Sequence, residues 1–177
     1  MTVLLVTTIT VTGILAFALV AGAANPPVAP RQIYNADSLP QFSAPDREGL
    51  RWVALTTTGI KPPFTLQTEA TFSEAGRFWG FWLEGTDYAK PLKFVIHPEG
   101  SYSLSNAALP DWHPFIHIRS ERNRLYLHVE LDGSATLRLN EELVTRFGAG
   151  TSETWQAGIV FDSSLPPVWH SIRLHGS

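Results

Sequence analysis

The sequence predicts an all-β, antiparallel sandwich or barrel preceded by a single N-terminal transmembrane helix. Three observations carry this. Residues 3–24 form a run without one charged side chain, and the first charge in the chain is Arg31. From Leu50 onward, short runs of β-branched and aromatic residues recur about every ten positions, separated by Gly, Pro, Asp and Asn. After residue 30 no stretch sustains a helical period over three turns, and residues 140–147 are the only short helix candidate.

The uncharged run comes first. Its 22 residues at about 1.5 Å each span roughly 33 Å, enough to cross a hydrocarbon core of about 30 Å. A cleaved signal peptide is the other reading, because the small residues Ala21-Gly22-Ala23-Ala24 suit a peptidase, but no basic residue precedes the run. Residues 1–24 are thus expected to be an anchor or a signal. With the anchor retained, the chain is a single-pass protein of the cell membrane with its folded domain on the extracytoplasmic side. With the segment cleaved, it is secreted. Residues 25–32 follow as a Pro-rich spacer, because Pro26, Pro27 and Pro30 remove donors and favour extended backbone. The folded domain is expected over residues 33–177.

Within it, strands are expected at 51–57, 64–72, 78–84, 92–97, 101–105, 116–119, 124–131, 135–139, 155–161 and 169–175. The clearest unit is a hairpin. Leu125, Leu127, Val129 and Leu131 share one face, with Tyr126, His128 and Glu130 on the other. Asp132-Gly133 suits a type I′ turn, where both central residues take positive φ. Ala135, Leu137 and Leu139 then alternate with Thr136 and Arg138 on the returning strand. Residues 78–82 are apolar on both faces, Phe78 and Trp82 against Trp79 and Phe81, which predicts a central strand.

Asn123-Arg-Leu, the alternating strand after it, Asp132-Gly133, Leu137-Arg-Leu-Asn140 and Ala157-Gly158-Ile159-Val160-Phe161 together resemble the concanavalin A-like lectin/glucanase jelly roll. More narrowly, they are similar to the laminin G-like domains of bacterial extracytoplasmic proteins. Gly80-Phe81-Trp82-Leu83 with Tyr88, Phe94-Val95-Ile96 and Gly100-Ser-Tyr-Ser-Leu104 match the central strands. Val168-Trp-His-Ser-Ile172-Arg-Leu174 matches the closing strand, which the resemblance places beside the first. The resemblance implies a jelly-roll β-sandwich. In that family a Gly usually follows the Asn at position 140, whereas this chain has Glu141.

Composition removes several classes of function. A net charge of −3 from 16 acidic and 13 basic residues gives no basic stripe for nucleic acid. With no Cys, there is no lipoprotein anchor, disulfide framework or thiolate metal site. The glucanase branch carries an E-x-D-x-x-E strand. Here the only Glu-x-Asp is Glu130-Leu-Asp132, its third position is Ala135, and Asp132 belongs to the turn. Glu84 and Asp87 fit a solvated loop edge better than an acid–base pair. Among the six histidines, His113 and His117 are four apart, but Pro114 makes that segment extended and separates them by about 13 Å. His128 and His170 are expected on neighbouring strands without a carboxylate partner. No metal site, catalytic residue or cofactor is therefore expected.

What remains is binding. The aromatic residues Trp79, Trp82, Tyr88, Trp112 and Trp155 are the candidate ligand- or partner-binding residues, since Trp joins a large apolar area to a polar N–H. They serve either as core or as a platform. The expected function is a non-catalytic, membrane-anchored interaction module, an accessory subunit of a larger assembly whose partners are the membrane and other membrane-protein subunits. The alternative is a carbohydrate-binding, lectin-like module, secreted or on the cell surface, whose partner is a glycan.

Overall fold

The computed structural model describes residues 26–38, 49–56, 58–73, 77–85, 91–106, 111–162 and 166–177. The expected anchor or signal at residues 1–24 lies outside them. Among the described residues no helix is long and apolar enough to cross a membrane.

Twelve strands are described: β1 (Arg31–Ala36), β2 (Leu50–Ala54), β3 (Phe64–Thr71), β4 (Trp79–Gly85), β5 (Leu92–His97), β6 (Ser101–Ser105), β7 (His113–Pro114), β8 (Arg122–Val129), β9 (Ser134–Leu139), β10 (Glu142–Gly148), β11 (Trp155–Asp162) and β12 (Val168–Gly176). They form two antiparallel six-stranded sheets. The first has the order β1-β12-β3-β8-β9-β10 and the second β2-β11-β4-β5-β6-β7. The closing strand β12 does return beside the first, β1.

Period-2 alternation decides which side chains meet between the sheets. Phe64, Leu66 and Ala70 of β3, Leu125, Leu127 and Val129 of β8 and Ala135, Leu137 and Leu139 of β9 face Trp79, Phe81, Phe94, Ile96, Ile159 and Phe161 of the other sheet in one continuous core. β4 lies between β11 and β5, the central position that its two apolar faces call for. Phe78 and Trp82 pack on the opposite side of that sheet, with Leu50, Trp52, Val95, Trp112 and Val160. Gly158 permits this arrangement. A Cβ there would stand 2.1 Å from the Val53 carbonyl oxygen and 2.4 Å from the Trp82 indole nitrogen.

Four local expectations are corrected. β1 begins inside the residues assigned to the spacer, because it pairs with β12, a partner at the far end of the chain that no local pattern announces. Residues 140–147 are not helical. Asn140 and Glu141 both take positive φ, 50° and 76°, and turn the chain tightly back so that Glu142 pairs with Leu139. The type I′ pair therefore falls here and not at Asp132-Gly133. There, the Gly133 amide bonds the Glu130 carbonyl at 3.0 Å and only Gly133 has positive φ, a three-residue loop that leaves Leu131 79% exposed and off the core face. Residues 116–119 are a turn, closed by the Ile118 amide on the Phe115 carbonyl at 3.2 Å. The strand that pairs with β6 is β7, just before this turn.

Candidate functional site

The outer face of the first sheet carries ordered rows of polar side chains. Antiparallel register sets Arg173 of β12 opposite Gln67 of β3, Gln67 opposite Tyr126 of β8, and Tyr126 opposite Arg138 of β9. These four positions make one straight line across four strands. Two residues along, Ser171, Glu69 and Arg124 form a parallel line. On the other side, His175, Thr65, His128 and Thr136 form a third. All are the outward partners of the core residues, so the same alternation that fills the core builds this surface.

The first two rows line a groove of about 320 Å³ together with Glu141, Pro26 and Val28. The size is that of a small-molecule site. A smaller recess of about 110 Å³ continues it past Glu69 and Arg124 to Arg119, Arg122 and Asn140. Ion pairs order these groups. Glu69 accepts from Arg122 Nε at 2.5 Å and lies 3.8 Å from Arg124, which also reaches Glu141 at 3.5 Å. Arg138 Nη1 donates to the Glu141 carbonyl at 2.9 Å. The guanidiniums are thereby held as flat, pre-oriented donor sets.

The third row is covered by the proline-rich strand of chain at residues 26–30. The buried Ala29 donates its amide to Thr65 Oγ1 at 3.0 Å. Thr65 Oγ1 also bonds His128 Nδ1 at 2.8 Å, and the Tyr126 hydroxyl donates to the Pro27 carbonyl. Burial, the largest cause, pushes the Tyr126 phenol above its ordinary value. Tyr126 and His128 stack with centroids 6.3 Å apart. Instead of standing free as a spacer, this segment is a strap that closes one side of the groove.

The aromatic candidates lie elsewhere. Trp79 and Trp155 are wholly buried in the core. Trp82 is 6% exposed on the far side of the second sheet, edge-on to Trp52 at 5.7 Å. Trp112 is half-buried beside Phe78 at 6.1 Å and His97 at 5.3 Å. Tyr88 lies outside the described residues, as does Asp87. The structure brings Trp82 and Trp112 into one cluster and leaves Trp79 and Trp155 apart from it. His128 and His170 do not sit on neighbouring strands, since β3 runs between β8 and β12. His128 pairs with Glu130 at 3.2 Å and His170 bonds Thr71 at 2.9 Å. Asp132 is a turn residue that accepts from the Ser134 amide at 2.8 Å. Hydrogen bonds from Ser134 hold its carboxyl below its ordinary value. A second recess, of about 340 Å³, lies between Arg31, Ile33, Thr58 and Lys61, without cross-strand rows or an aromatic ring.

Gln67, Glu69, Arg124, Arg138 and Arg173 were not among the residues singled out by sequence. Their signal was the polar side of each alternating strand, but which strands lie side by side is not written in any one of them.

The sandwich with a polar groove on one sheet defines a class: it has the concanavalin A-like jelly-roll fold of lectins and glucanases. No protein-family model and no curated protein matches the sequence. Among solved structures, the chain is similar to CG-16, a homodimeric agglutinin from chicken liver, at 10% identity and a TM-score of 0.50, over 70% of this chain and 98% of that one. It is similar to a toad ovary galectin in complex with thio-digalactose, at 11% identity and a TM-score of 0.51, again over 70% and 98%. The carbohydrate binding module CBM66 from Bacillus subtilis aligns at 12% identity and a TM-score of 0.49, over 85% and 97%. At these identities the likeness is one of fold.

Proposed function

We propose that this protein is a non-catalytic, carbohydrate-binding module whose ligand lies in the groove on the first sheet. The observation that carries this is the aligned row Arg173–Gln67–Tyr126–Arg138. Sugars present many hydroxyls, each both donor and acceptor, on a flat ring with apolar C–H faces. A row of planar guanidinium and amide groups meets the hydroxyls, and the exposed Val28 with Pro26 offers apolar surface to the ring. Glu69 and Glu141, held by Arg122 and Arg124, supply acceptors whose geometry is already set. The agglutinin and the galectin, which share the fold, support this reading as analogy.

The test is a glycan array probed with the full-length protein in mild detergent, beside an Arg138→Ala/Arg173→Ala variant whose folding is verified by circular dichroism. Binding by the parent and its loss in the folded variant are expected. Silence of the parent across the array overturns the proposal.

The uncharged run at residues 3–24 favours a second reading, an anchored accessory subunit on the extracytoplasmic side of the cell membrane. It predicts stoichiometric copurification with other membrane proteins and an intact N-terminus by mass spectrometry. A chain beginning near Asn25, alone and soluble, removes it.

A further inference from the structure

Charge in the groove is lopsided. The groove and its adjoining recess are lined by five arginines, Arg119, Arg122, Arg124, Arg138 and Arg173, against two carboxylates, Glu69 and Glu141. That is a local surplus of three positive charges in a chain whose net charge is −3. The carboxylates are also already engaged, Glu69 by Arg122 and Arg124 and Glu141 by Arg124. Arg119 and Arg173 have no carboxylate partner among the described residues. A neutral sugar needs donors and acceptors in balance and has no use for such a surplus. Unbalanced cations focused in a groove raise the local concentration of anions, and each guanidinium fork matches an anionic oxygen pair.

From this we infer that the ligand is an acidic saccharide, one carrying carboxylate or sulfate groups, with the uncompensated arginines reading its charge. The inference rests on the carbohydrate-binding proposal and deepens it. The row Arg173–Gln67–Tyr126–Arg138 takes the ring and its hydroxyls. Arg119, in the adjoining recess and outside the row, is left to meet an acidic substituent.

The experiment measures affinities of the full-length protein for oligouronates, for sulfated oligosaccharides and for neutral oligosaccharides of equal length, at low and at moderately raised salt. Expected is at least tenfold tighter binding of either acidic series, weakened about tenfold by salt that screens charge over roughly 8–10 Å. Arg119→Gln, at an exposed position outside that row, should lose about tenfold on acidic ligands and little on neutral ones. Which acidic series binds tells carboxylate from sulfate as the source of the charge. Equal or tighter binding of the neutral series, insensitive to salt, overturns this inference while leaving the carbohydrate-binding proposal standing. No binding in any series overturns both.

Discussion

Asn140 donates from its side-chain amide to Asn123 Oδ1 at 2.8 Å, both residues buried, and this pair ties the turn after β9 to the start of β8. Each then reaches outward. Asn140 accepts from the Arg124 amide at 2.8 Å and donates to the His117 carbonyl at 2.7 Å. Asn123 bonds both the amide and the carbonyl of Arg119, at 2.9 and 2.7 Å. Two side chains, Asn123 and Asn140, thus add to the backbone bond that closes the turn at 116–119.

Asn140→Ala removes three hydrogen bonds and takes the side-chain acceptor from the Arg124 amide and the side-chain donor from the His117 carbonyl. A loss of about 2–3 kcal/mol is expected, read from the urea midpoint. A loss under about half a kcal/mol would show that water replaces the amide.

Glu141 is the non-glycine partner of Asn140 in the turn, at φ 76°. A left-handed side chain costs roughly 1–2 kcal/mol, and glycine forfeits somewhat less through unfolded-state entropy. Glu141→Gly is therefore expected to stabilise the fold by roughly 0.5 kcal/mol in denaturant titrations, despite loss of the exposed pair with Arg124.

Gly158→Ala would press a Cβ into the Val53 carbonyl and the Trp82 ring. Overpacking at this point should cost about 2 kcal/mol and shift the tryptophan emission. An unchanged midpoint would mean that Trp82 moves freely off β11.

Thr65→Val takes away the acceptor for the Ala29 amide and the partner of His128. Hydrogen exchange at Ala29 should quicken about tenfold, with roughly 1–2 kcal/mol lost. Unaltered exchange would assign the strap's hold to the Tyr126–Pro27 bond.

His175 sits below its ordinary value of 6.5, first through burial and then through the charge of Arg173. The folded protein thus binds fewer protons than the unfolded chain, and stability declines as pH falls through about 6.5, levelling off below the folded value. Urea midpoints at pH 7.5 and pH 5.5 should differ more in the parent than in His175→Gln. Equal differences would place the acid sensitivity on another group.

Alternation made most of the fold legible. The strands at 64–71, 79–85, 92–97, 101–105 and 155–162 lie within a residue or two of where β-branched and aromatic runs put them, because period-2 burial needs only a strand and a core on one side. β10 escaped because Leu143, Val144 and Phe147 fit a helical spacing as well, and only the two left-handed residues before them turn the chain into a hairpin. The groove escaped almost entirely. Tyr126 and Arg138 could be seen to share the outward side of the hairpin, but Arg173 comes from the end of the chain and Gln67 from its middle.

The sequence by itself determined the all-β class, the inward and outward faces of β8 and β9, the central place of β4, and the uncharged run at residues 3–24. Those are local properties, carried by composition and by a repeat of two. Only the tertiary structure decided that β12 lies between β1 and β3, and that β3 lies beside β8. That order alone sets Arg173, Gln67, Tyr126 and Arg138 in one row, since a cross-strand row is made by register between distant segments and no single strand encodes its neighbours.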